Sequence, residues 1–254
     1  MNITNESRLT AMQEYLKSYK QFLDEDNVDF NPFVAIYDDR SKQALALFMT
    51  PMFGEDMSTE EKAMIQMPPL TMAPLLDSVA ISFTHDVWFM KQECDQKDED
   101  GHECSIEEHS DEFNGKRVSE QLERKQGLMT ILLDKTDNGF TTVQEYGRDD
   151  NGEMYWSGSE LMPIKSDEDT LQSWMIPLIS KTLATPNELP VEFFGETTDE
   201  DKVKAIMTGL TIMDDLGYQT ALRPDFLEVM REMYGEHAEM VAEYIDNLPM
   251  PEEE

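Results

Sequence analysis

Cysteine is almost missing: the 254 residues contain two. Two cysteines cannot build the multi-bridge framework of a small secreted domain. Bases are scarce as well. Only 20 Lys and Arg stand against 54 Asp and Glu, which sets the formal net charge at −34. A chain this acidic repels nucleic-acid phosphates and anionic membranes, and no local basic patch offsets the excess. Neither free nucleic acid nor a membrane surface is therefore expected as a ligand. Long apolar runs are missing too; none reaches the roughly 18 residues that a transmembrane helix needs. Met1 is followed by NITNESRLTAMQEYL, with no charged segment leading into an apolar run. No secretory signal is read there, and the expected location is the cytoplasm. There is no Walker A loop, no Gly-x-Gly-x-x-Gly and no Gly-x-Ser-x-Gly, so the common phosphate-cradling and nucleophile-elbow signatures are absent.

What is present is enough for a core. Hydrophobic residues make up 39% of the chain, and 19 methionines offer soft, adaptable packing. Leu9, Met12, Leu16, Tyr19 and Leu23 recur at helical spacing and predict a helix over 4–24. FVAIYDD (33–39) and QALALFM (43–49) predict a hairpin. Ser58 and Glu61 form a capping box. The stretch that follows, to about Leu76, is interrupted by Pro68, Pro69 and Pro74, which predicts two short helices. SVAISFTHDVWFMK (78–91) reads as a long strand. RVSEQLERK reads as a short helix. GLMTILLD (127–134) and FTTVQEYG (140–147) flank Asn138-Gly139, a strong hairpin signal, and DDNG gives a further turn into EMYWSG. After Leu161 the pattern turns helical. Ser166 and Asp169 would cap a helix with Leu171, Trp174, Leu178 and Leu183. Thr197 and Glu200 would cap one with Val203, Ile206, Leu210 and Met213. A last helix over 224–247 would carry Phe226, Met230, Met233, His237, Val241 and Tyr244, with His237 in the core. The expected fold is α+β: an antiparallel sheet of about five strands flanked by helices, spanning 1–160. An acidic helical part, 161–254, either packs on the same core or forms a small bundle.

This order of elements resembles profilin-like folds such as roadblock and longin domains, which implies an antiparallel sheet used as an interaction platform. Residues 78–147 are similar to a second pattern, in uncharacterised proteins of phages and their bacterial hosts. There a strand ending in an acidic residue, an aromatic and Met precedes a Ser-Glu/Asp-Pro-x-Arg stretch and a hairpin. SVAISFTHDVWFMK and EHSDEFNGKRVSEQLERKQGLMTILLDKTDNG carry the likeness here. Asp86, Trp88 and Met90 depart from the compact version, the proline is missing and the intervening acidic loop is longer. The resemblance implies a phage or prophage origin, hence host cytoplasm, and no mechanism.

Chemistry-bearing residues gather in one stretch, CDQKDEDGHECSIEEH. Cys94, His102, Cys104 and His109 are the right residue types for tetrahedral zinc, but their spacing matches no standard finger. Asp98, Asp100, Gly101 and Glu107 fall at positions of a calcium loop; Gln96 occupies its first acidic position. Residues 92–115 hold ten acids and one lysine, so a solvated acidic loop is the first reading and zinc the alternative. His85 and Asp86 are neighbours in a strand and face opposite sides, so they form no catalytic pair. No other cofactor is expected.

The other concentration of charge is C-terminal. Residues 186–254 carry eighteen acids and four bases. Glu228, Glu232, Glu236, Glu239 and Glu243 recur at about one per helical turn and form the candidate interaction surface. Such a face can stand in for a phosphate track. The leading functional expectation is a non-enzymatic protein that binds a basic or nucleic-acid-binding protein, with nucleic-acid mimicry as its sharpest form. A zinc domain or metal-dependent enzyme using Cys94–His109 is the alternative, and a virion or assembly component a further one. Oligomeric state is not legible.

Overall fold

Alternation of apolar residues lays down the sheet, and their helical recurrence lays down its covers. In the computed structural model, residues 3–20, 30–52, 54, 57–89, 125–136, 138–148, 154–157, 160–164, 175–187 and 197–245 are described. The strands are β1 (Phe33–Tyr37), β2 (Ala46–Met49), β3 (Ala80–Phe89), β4 (Lys125–Asp134), β5 (Gly139–Arg148), β6 (Met154–Trp156), β7 (Glu160–Pro163) and β8 (Gln219–Leu222). They hydrogen-bond in the order β6-β5-β4-β3-β1-β2-β8, with β7 also on β5. The fold is α+β, and the sheet has eight strands where about five were expected. The helices are α1 (Asn5–Lys20), α2 (Thr59–Leu75), α3 (Met175–Leu183), α4 (Asp199–Asp215), α5 (Phe226–Tyr234) and α6 (Glu239–Ile245), with a 3-10 turn, Gly235–Ala238, before the last.

The chain forms two compact units. The first takes Met1–His85, Thr130–Thr141 and Leu161–Glu254, so it draws on both sides of residue 160; the second takes Asp86–Met129 and Thr142–Glu160. In the first unit β1 is central and every residue of β1 and β2 is buried. Such strands read as continuous apolar runs because both faces are covered. The buried stripe of α1 is Leu9, Met12 and Leu16, and Arg8 stands over the Tyr37 ring at 5.9 Å. That places α1 on the face carrying Ala35 and Tyr37. On the other face Gln66 of α2 donates to Thr50 Oγ1 at 3.0 Å. In the second unit β5 and β6 pair Tyr146 with Trp156, ring centroids 5.4 Å apart.

One helix, not two, runs through the three prolines. Each proline lacks the N–H that would bond the carbonyl four residues back. Pro69 thereby frees the carbonyl of Ile65, and Tyr218 Oη donates to that oxygen at 2.6 Å. At the C-terminal end Tyr234 Oη donates to Leu75 O. Burial of Gln66, Pro69, Leu70, Met72, Ala73 and Leu75 along one side holds the rest. The capping box at Ser58 and Glu61 is present, with bonds of 2.8 and 3.2 Å.

The β4–β5 hairpin forms, but not by the two-residue turn that Asn138-Gly139 suggests, since neither residue has positive φ. Asp134 Oδ1 organises the loop instead, accepting from Thr136 N at 2.8 Å and Asn138 N at 3.2 Å. Gly139 is required for space: a Cβ there would lie 2.5 Å from the Leu132 carbonyl oxygen.

The region after Leu161 is less helical than its pattern suggests. β7 and β8 are strands within it. α4 is capped by Thr198 and Asp201, one residue later than expected. This leaves Glu200 to pair with Lys204 at 2.6 Å. Val203, Ile206, Leu210 and Met213 are buried as expected. On α3 the buried face is Met175, Ile179 and Leu183; its proposed cap at Ser166 lies outside the described residues, as does the helix expected over 117–125 except for Lys125, which instead opens β4. The final helix is broken at Gly235, whose φ is +59°. The break rephases the chain, so Ala238 takes the core position and His237 is only half-buried.

A tyrosine hydroxyl standing in for a missing amide on α2 predicts a coupling. Tyr218→Phe should cost about 1 kcal/mol in urea denaturation, the usual net worth of such a bond. In a Pro69→Ala background, where the restored backbone N–H can bond Ile65 O itself, the same change should cost clearly less.

Candidate functional site

Asp38 closes β1 and Arg223 follows β8, 185 residues later. Arg223 Nη1 and Nη2 donate to the two Asp38 carboxylate oxygens at 2.9 and 2.7 Å, a bidentate fork. Nη1 also donates to Gln43 O at 3.2 Å, and Nε to Asp225. The side chains are only 5% and 7% exposed. Burial pushes the Asp38 carboxyl up, but the Arg223 hydrogen bonds and charge, with backbone N–H groups of Arg40 and Ser41, outweigh it and hold the carboxyl below its ordinary range. Asp38 and Asp225 hold Arg223 above its ordinary value despite burial.

A second buried arginine joins α1 to the same corner. Arg8 donates to Asn5 Oδ1 and Asp38 O, each at 3.1 Å, and burial lowers its pKa. Asn5 in turn donates to Asp134 Oδ2 at 2.8 Å. Burial pushes Tyr37 up to about 12, and its hydroxyl is engaged with Ser82 at 3.1 Å. Most of these groups are engaged with one another, Arg8 Nε being the buried polar atom left without a partner among the described residues, and the corner ties α1 to the end of β1.

A cleft of about 420 Å³ opens beside this corner, between α1 and the β2–β8 edge. Met12 and Tyr15 form one wall, Leu47 and Ala221 the floor, and Glu14 and Lys42 stand on its rim. Apolar lining with a few polar groups suits a binding site. Among the described residues no nucleophile–base pair faces it.

The acidic surface lies in the same unit. Glu228, Glu232, Glu236 and Glu239 are all exposed, but they are spread over α5, the 3-10 turn and the start of α6 rather than along one helix. Glu243 is on α6. Glu232 pairs with Arg40 at 2.8 Å and Glu239 with Arg231 at 2.8 Å. Among the described residues Glu228 and Glu236 make no ion pair. Asp214 and Asp215, at the end of α4, are exposed and equally unpaired there. They oppose the helix dipole, and no base stands in that last turn.

Cys94, His102, Cys104 and His109 lie outside the described residues, as does the rest of the acidic loop. Among the described residues no group of three or more His, Cys, Asp or Glu is placed to hold a metal, and no helix is long and apolar enough to cross a membrane. In the second unit several polar groups of the described residues bond to one another. Lys125 donates to Glu145 at 2.9 Å, Tyr155 Oη to Glu145 at 3.3 Å, and Tyr146 Oη to Asp86. In the first unit His85 stacks on Phe83 at 5.0 Å.

No protein-family model, curated protein or solved structure matches the chain.

The Asp38–Arg223 corner is invisible to local pattern, since its halves are far apart in sequence. β8 had a signal: Gly217 and Pro224 bracket a segment too short for a helix.

Removing one partner strands the other in the interior, so Asp38→Ala should cost about 3–5 kcal/mol in denaturant titrations at pH 7. Because the folded Asp38 pKa is depressed, its contribution is present above the ordinary value of 3.8 and is lost as pH falls through the folded value. The stability gap between the native protein and Asp38→Asn should be full at about pH 6 and shrink as pH falls below the ordinary carboxyl value of 3.8.

Proposed function

We propose that the protein is a non-enzymatic binding protein whose acidic surface engages a basic partner, including a protein whose own ligand is nucleic acid. One observation carries this reading. Within residues 197–245 each lysine and arginine is already paired with a carboxylate of the same chain: Lys202 with Asp199, Lys204 with Glu200, Arg223 with Asp38 and Asp225, and Arg231 with Glu239. Asp214, Asp215, Glu228 and Glu236 are left exposed and make no ion pair among the described residues, Glu228 feeling only the charge of Arg231. Unpaired carboxylates on a chain of net charge −34 attract cations over roughly a Debye length, about 8 Å at physiological salt. Such fields raise association rates and select partners by sign more than they add raw affinity. Substitution for a phosphate track is the narrower form of the same reading, since a basic protein releases counterions to either polyanion.

The test is calorimetric titration with polylysine as the salt concentration is varied. Binding should weaken at least tenfold between 50 and 300 mM NaCl. The quadruple variant Asp214→Asn, Asp215→Asn, Glu228→Gln, Glu236→Gln should bind more weakly at low salt and respond less to salt. Affinity that is flat across the salt series, or untouched by the four changes, contradicts the proposal.

A further inference from the structure

The edge of β8 is open, and its geometry can be worked out from the ladder. Thr50 N–H donates to Pro32 O at 2.8 Å. Hydrogen-bonded pairs alternate along an antiparallel ladder, so β1 and β2 bond through Val34–Phe48 and Ile36–Ala46. β2 therefore turns the backbone of Leu47 and Met49 toward β8, where the register places Ala221 and Gln219. Arg223 N–H, donating to Leu45 O at 3.0 Å, keeps the same alternation. The N–H and C=O groups of Thr220 and Leu222 are thus directed away from the sheet. β8 is the last strand in the order, and among the described residues none hydrogen-bonds these groups. The Thr220 hydroxyl is also buried without a partner among those residues.

Edge strands are ordinarily blunted by being short, or by Lys, Pro or a bulge; β8, at four residues, is short. Gln219-Thr220-Ala221-Leu222 has neither Lys nor Pro, and its register with β2 is continuous. The 420 Å³ cleft borders this strand, with Met12 and Tyr15 of α1 as the far wall. An extended peptide laid along β8 would sit between the edge and α1. Side chains that alternate along it would meet Leu47 and Ala221, which share one face. Backbone bonds supply affinity in this mode and the side-chain pocket supplies selection.

Charge decides the occupant. A second copy would bring another −34. Asp214 and Asp215 stand exposed just before β8, and Glu14 stands on the cleft rim, opposed there by Lys42. We propose that β8 receives an extended basic segment of a partner protein as an added strand, with an apolar side chain in the cleft. This rests on the acidic-binding reading above and gives it a site.

The probe is a fluorescein-labelled (Lys-Val)₅ peptide, followed by anisotropy at 50 and 300 mM NaCl. Two N-methylated forms accompany it, one blocked at the Lys amides and one at the Val amides. An added strand turns only one set toward β8, so one form should bind at least tenfold more weakly and the other like the parent. Thr220→Pro removes an outward N–H and no ladder donor, and should weaken binding tenfold with an unchanged melting temperature. Ala221→Trp, which fills the cleft floor, serves should the proline variant unfold, and should weaken binding likewise. Salt-sensitive binding that is indifferent to both methylations and to both variants overturns the edge site while leaving the electrostatic reading intact. No binding at low salt overturns both. A concentration-dependent dimer in sedimentation that Thr220→Pro abolishes assigns the edge to a second copy and overturns the proposal.

Discussion

The buried fork between Asp38 and Arg223 is the constraint on which the C-terminal part of the first unit depends. It joins the end of β1 to the end of β8 across 185 residues, and no local preference could bring those residues together. Two desolvated charges are costly alone and tolerable only when their geometry satisfies both. Here each oxygen of Asp38 faces an Arg223 nitrogen, and the remaining guanidinium groups reach Gln43 O and Asp225. The pair therefore specifies register: β8 aligned one residue off would leave both charges unpartnered, and would also turn Ala221 off the face it shares with Leu47.

From that lock the rest of the C-terminal packing follows. With β8 held against β2, Tyr218 reaches α2 and supplies the donor that Pro69 withholds from Ile65. α4 lies so close to α2 that a Cβ at Gly209 would come within 2.5 Å of Met72 Sδ. Among the described bases Arg8 and Arg223 are buried in the core, while Lys204 and Arg231 pair with carboxylates at the surface; further carboxylates are left exposed there.

Much of this was legible where the signal is local. The apolar stripes of α1 and α4 and the Ser58 capping box are present, and the strands expected at 33–39, 78–91, 127–134 and 140–147 have counterparts in β1, β3, β4 and β5. The failures are physical in kind. Proline counts against a helix, but a tyrosine from elsewhere can replace the lost amide, and no local pattern reveals that. Thr197-x-x-Glu200 and Thr198-x-x-Asp201 are both capping boxes on paper, and local pattern does not choose between them; the helix starts at the second, which leaves Glu200 to Lys204. A single glycine at 235 shifted the phase of the last helix and moved His237 out of the core. β8, four residues long, carries too little periodicity to announce itself. The candidate surface was legible as charge, whereas the cleft and the open edge beside it depend on β8 and could not be.

Amide hydrogen exchange tests the lock most directly. In the native protein the inward amides of Ala221 and Arg223 should be protected and the outward amides of Thr220 and Leu222 should exchange far faster. In Asp38→Ala the inward pair should lose protection ahead of β1 and β2, as β8 detaches locally. Protection of Ala221 and Arg223 that survives loss of the carboxylate, or equal protection of all four amides in the native protein, would contradict the account.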